Sequence, residues 1–68
     1  MTTYIIRELQ NLGSVREGYS VECKSLAQAK RMATRGQVYR GTELRIEDQN
    51  RNVLSWKGQN SNGEWVDQ

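Results

Sequence analysis

A chain of 68 residues that is 35% hydrophobic, with no Phe and no Pro, has room for one small core. That excludes a deep internal substrate cavity and leaves function to the surface. The formal charge of +2 hides a skew: residues 23–42 hold Lys24, Lys30, Arg31, Arg35 and Arg40 without one acid, so that segment carries +5 and the rest of the chain −3. Opposed signs on separate surfaces point to oriented binding rather than to solubility alone.

The chain reads as a single domain, residues 1–68, with the two Trp and three Tyr supplying much of the buried area. Its one cysteine, Cys23, cannot form an internal disulfide. The opening "MTTYIIRELQ" lacks a signal-peptide apolar core, and no apolar run is long enough to span a bilayer. A soluble protein of a reducing cytoplasm is expected.

In chain order, "TYIIRELQ" is rich in strand formers and predicts a first strand from about Thr3 to Gln10, although it alternates poorly. Gly13-Ser14 offers a turn. Val15, Tyr19, Val21 and Cys23 then share one parity, with Arg16, Gly18, Ser20, Glu22 and Lys24 on the other, the period of a half-buried strand. Cys23 falls on the apolar side, as a core thiol. "SLAQ" at 25–28 is a capping box that opens a helix. Leu26, Ala29, Met32 and Ala33 form its apolar arc and Gly36 its stop. Lys30, Arg31 and Arg35 fall outside that arc, and Arg31 and Arg35, four apart, share a face.

Leu44 and Ile46 alternate with Glu43, Arg45 and Glu47 in a third strand, and "DQNRN" is a turn without the Asn-Gly pair of a tight hairpin. "VLSWK" predicts a fourth strand with Leu54 and Trp56 on one face; "GQNSNG" is a polar loop and "EWVD" a short closing strand. The order β-β-α-β-β-β predicts an α+β fold: one antiparallel sheet of about five strands with a single helix across it.

Catalysis finds little support. There is no His, the single Cys is expected in the core, and the adjacent Glu47 and Asp48 point to opposite faces of a strand. No metal-ligand spacing, Walker loop or dinucleotide fingerprint occurs, so neither an enzyme nor a cofactor is expected. The basic stretch is either an incidental solvated helix face or a patch for phosphates or an acidic protein surface. No base-reading motif accompanies it, so any nucleic-acid binding should be weakly sequence-specific and strongly salt-dependent. Tyr4, Trp56 and Trp65 could stack on single strands, but core is the default for the two Trp. Tyr4 and Tyr39, near element ends, are better candidates for exposed contacts, and Gln37 stands out as an amide beside the basic face.

The blocks "YIIRELQN", "REG", "VECKSLAQAKRMA", "GTELRIE", "LSWK" and "WVD", in this order and at these separations, resemble a family of phage anti-CRISPR proteins, the ninth named against the type I-F system. The likeness covers essentially the whole chain, and "KSLAQAKR" is its most specific block. It implies one helix on an antiparallel sheet and binding to the type I-F surveillance (Csy, or Cascade) complex, on the repeated backbone subunits where target DNA would pair with guide RNA. It also implies that more than one copy can bind a complex, that nonspecific duplex DNA is tethered to it, and that the setting is the cytoplasm of the infected bacterial host. By position, Gln37 matches a partner-contacting site, and Gln10 and Asn11 lie in a matching segment. Lys30, Arg31, Arg35 and Lys57 match basic positions of the family. Two departures stand out: "GQNSNG" replaces a charged turn, and Glu64 precedes Trp65 where a base is expected. The second weakens the case for tethering relative to that for blocking.

A DNA mimic would be strongly acidic, and this chain is not. A steric inhibitor gripping through neutral or mixed-charge surface is therefore the leading expectation, with the basic helix face turned outward. The +5 stretch alone supports a second reading, a small nucleic-acid-binding module. An adaptor for an acidic protein is a third.

Overall fold

The computed structural model describes residues 1–10, 13–37, 42–58 and 64–68, with 13–17 given by backbone alone. Strands β1 (Thr2–Gln10) and β2 (Gly13–Cys23) precede helix α1 (Leu26–Arg35); β3 (Glu43–Glu47), β4 (Val53–Lys57) and β5 (Val66–Asp67) follow. The strands form one sheet in the order β2-β1-β3-β4-β5, with every neighbouring pair antiparallel. This is the expected α+β arrangement, with α1 lying against β2 and β3 on one face of the sheet.

Tyr4, Ile6, Leu44 and Ile46 point to the helix side and meet Cys23, Ala29 and Ala33 in the core; Leu26, Met32, Tyr19, Val21, Leu54 and Trp65 pack around them. Burial of each large aliphatic there contributes about 1.5–3 kcal/mol. The small Ala29 and Ala33, both fully buried, let the helix approach the sheet closely.

The helix begins as the sequence predicts. Ser25 Oγ accepts from the Gln28 amide at 3.2 Å, satisfying one orphan donor of the helix, and Gln28 Oε1 reaches back to accept from the Lys24 amide, one residue before the cap, at 2.9 Å. Gly36 ends it, but at φ −88°, not in the left-handed region. Space explains the glycine: a Cβ there would stand 2.8 Å from the Tyr19 hydroxyl.

Three local expectations are corrected. Gly13 and Ser14 are strand residues opposite Gln10 and Leu9, not a turn, because the β1–β2 ladder continues that far through two register shifts. Leu54 and Trp56 do not share a face. Ser55 pairs with Ile46 but Val53 with Glu47, so Leu54 is the extra residue of a bulge and packs on the core, whereas Trp56 pairs with Arg45 on the open face. Tyr4 is no exposed contact: it alternates in phase with Ile6 and is only 8% exposed.

The turn between β3 and β4 forms where expected. The Asp48 amide donates to the Asn52 carbonyl at 3.0 Å and the Arg51 amide to the Asp48 carbonyl at 3.1 Å. Arg51 takes φ 67°, the left-handed position that closes a three-residue hairpin loop and that Gly usually fills. On the sheet face away from the helix, Arg7 donates to Glu47 at 3.0 Å and Arg45 to Glu43 at 2.8 Å, so two arginines opposite one another in register are each neutralised from β3.

Candidate functional site

The cationic surface is built where side chains of α1 meet Trp65 and Asp67 at the C-terminal end of the chain. Lys30, Arg31, Thr34 and Arg35 line a shallow groove whose other wall is Trp65. Lys57, on the helix side of β4 by its pairing with Leu44, places its ammonium 5.7 Å from the Trp65 ring centre. The ring is thus packed on the core and also approached by a cation, which stabilises the wall electrostatically.

The four basic residues are not equivalent. Lys30 Nζ sits 2.7 Å from Asp67 Oδ1, its side chain 21% exposed against 61% for the carboxylate. Asp67 is itself anchored: the hydroxyl of fully buried Ser55 lies 2.8 Å from the same Oδ1 and 2.9 Å from the Val66 carbonyl, and shares its one proton between them. These hydrogen bonds, Lys30's first and Ser55's second, hold the Asp67 carboxyl below its usual range. Arg31 and Arg35 are exposed and enter no ion pair among the described residues. The groove thus carries two unneutralised guanidiniums, one ammonium against an aromatic ring and one ammonium bound to a carboxylate. Glu64 is exposed just before Trp65.

A second cluster gathers the amides. Leu9 is opposite Glu43 in register, which puts Gln10 and Thr42 at one end of the sheet, and Gln37 reaches the same end. There Gln37 Nε2 donates to Thr42 Oγ1 at 2.9 Å and lies 3.3 Å from the Thr42 carbonyl; Thr42 Oγ1 donates to Glu8 Oε2 at 2.8 Å. Glu8 and Thr42 are each 2% exposed. Gln37 is therefore committed through its nitrogen to an internal network and half-buried, while Gln10 is exposed. Asn11 and Tyr39 lie outside the described residues.

Sequence reasoning missed Glu8, Thr42, Asp67 and Ser55. The parity of Tyr4 and Ile6 would have placed Glu8 on the core face; nothing in the sequence joins Asp67 to Lys30.

The solved structure of AcrIF9 matches this chain with a TM-score of 0.84 and 45% sequence identity, over 100% of this chain and 88% of that one. The chain belongs to the AcrIF9 family of type I-F anti-CRISPR proteins. No protein-family model and no curated sequence matches it. For this AcrIF9 relative, the whole-chain match places the groove and the amide cluster on the family's own scaffold. Among the described residues no helix is long and apolar enough to cross a membrane.

Proposed function

We propose that the protein binds the type I-F surveillance complex on its repeated backbone subunits, in the cytoplasm of the infected host, and blocks pairing of guide RNA with target DNA by occupying the channel of the complex in which they pair. The observation that carries this reading is the likeness to AcrIF9 over the full chain. A heteroduplex must zip along a continuous channel, so a small rigid body lodged in it is sufficient to stop the process. The contacts are made by neutral or mixed-charge surface, beginning with Gln10, Asn11, Gln37 and Tyr39. The basic face built by Lys30, Arg31, Arg35 and Lys57 is turned outward and holds nonspecific duplex DNA against the inhibited complex by phosphate contacts. The test is to pre-incubate purified complex with the protein and probe R-loop formation on a matched target. Protection saturating at a fixed protein-to-complex ratio is the expected result; a full R-loop in excess protein overturns the proposal.

The unpaired Arg31 and Arg35 also support a second reading, a small basic module that binds nucleic acid by itself. It requires the free protein to shift duplex DNA at low salt, with affinity falling steeply as salt rises. Absence of a shift at low salt rules it out.

A further inference from the structure

The cationic groove contains its own competitor for phosphate. Asp67 Oδ1 lies 2.7 Å from Lys30 Nζ, as close as a phosphate oxygen would approach. The carboxylate is not a loose surface group that a ligand could brush aside. Its backbone is fixed in β5 by pairing with Ser55, and the buried Ser55 hydroxyl holds the same oxygen at 2.8 Å. We propose that Asp67 is an attenuating residue that sequesters Lys30, so that the DNA-tethering face engages phosphates through Arg31, Arg35 and Lys57 while Lys30 stays neutralised. This rests on the tethering reading above and assigns a different role to each cation within it.

Three consequences separate this arrangement from a uniform basic patch. Removing Lys30 and Asp67 together changes affinity little, because the pair carries no net charge, whereas removing Lys30 alone unmasks the Asp67 carboxylate and weakens binding. Freeing Lys30 by Asp67→Asn adds one phosphate contact; the asparagine oxygen still accepts from Ser55, so the anchor is kept. Removing Lys30 from that variant then abolishes the gain. A merely long-range effect of one lost negative charge would behave differently: Glu64→Gln, which also deletes an exposed acid near the groove, would match Asp67→Asn, and neither gain would depend on Lys30.

The experiment measures retention of a noncognate DNA duplex by surveillance complex saturated with each variant, over a salt series. The set is wild type, K30A, D67N, E64Q, K30A/D67N and R31A/R35A, with folding of each checked by thermal denaturation. Asp67→Asn is expected to tighten binding roughly three- to tenfold and to steepen the log–log salt dependence by about 0.9, the signature of one added phosphate contact. K30A, which leaves the Asp67 carboxylate unmatched in the groove, should weaken binding, and K30A/D67N should return to within about twofold of wild type. Equal gains from D67N and E64Q, with no coupling to Lys30, overturn the inference while a loss of binding in R31A/R35A still upholds tethering. No retention by wild type, together with no effect of R31A/R35A, overturns tethering itself and this inference with it.

Discussion

Thr42 Oγ1 donates a 2.8 Å hydrogen bond to the carboxylate of Glu8, a residue 34 positions away, and both side chains are almost wholly removed from solvent. The same hydroxyl oxygen accepts from Gln37 Nε2, so one threonine joins β1 to the residue just past the helix end. Thr42→Val keeps the shape and deletes the hydroxyl beneath a buried carboxylate. It should cost about 1–3 kcal/mol of stability in urea denaturation, and Thr42→Ser should cost less. A Val variant as stable as wild type would show that the hydroxyl contributes nothing.

Arg51 occupies the left-handed region at φ 67° with an ordinary side chain. That conformation costs a non-glycine residue about 1–2 kcal/mol, and glycine returns part of the gain through its freer unfolded chain. Arg51→Gly should therefore stabilise the protein by roughly 0.5 kcal/mol, or about 2–4 °C in melting temperature. A lower melting temperature would mean that the arginine makes a compensating contact.

Glu47 is buried against Arg7, and Arg7 stands opposite Arg45 in register. Glu47→Ala leaves two like charges facing each other, with only Arg45 still paired to a carboxylate, that of Glu43. We expect a loss of about 1–3 kcal/mol, and a smaller loss for R7L/E47A, which removes both charges. The comparison is a double-mutant cycle; additive losses would deny the coupling.

Asp48 and Asp67 both titrate below the ordinary value of 3.8. For Asp48 the main cause is the hydrogen bond from the Asn52 amide, then that from the Asn52 side chain; for Asp67 it is Lys30, then Ser55. A carboxyl depressed in the folded state contributes stability that is complete above its unfolded value and is lost as pH falls through its folded value. These contributions should be level from about pH 8 to about pH 5 and disappear on acidification below 3.8. Thermal melts of wild type and D48N/D67N across that range test the sign: the gap between them should close only on the acid side.

Arg31→Ala with Arg35→Ala should lower retention of nonspecific duplex by roughly tenfold or more, as expected for two lost phosphate contacts, and leave protection of target DNA nearly unchanged. Collapse of inhibition in a folded double variant would place these arginines against the protein partner instead.

What the sequence made legible was local. The Ser25/Gln28 box and the Leu26/Ala29/Ala33 stripe have both partners within a few residues, so their spacing alone specified a helix and its buried face. The alternation of Leu44 and Ile46 did the same for β3. The parity of Tyr4 and Ile6 puts Glu8 on the core face, but its acceptor role is illegible because it depends on Thr42, which only the fold brings near. Trp56 was misplaced because a single extra residue at Leu54 reverses the parity on which strand reading rests. Lys30 looked like its neighbours Arg31 and Arg35 for a comparable reason: its neutralising partner is 37 positions further along, on the last strand.

The sheet order has a consequence for synthesis on the ribosome. β1 lies in the interior of the sheet, yet its second neighbour, β3, emerges only after residues 24–42 have been made. At 5–20 residues per second that interval lasts roughly one to four seconds. Throughout it β1 presents a bare ladder edge to its surroundings. The charged Arg7 and Glu8 midway along that edge discourage nascent neighbours from zippering onto it before its own partner arrives.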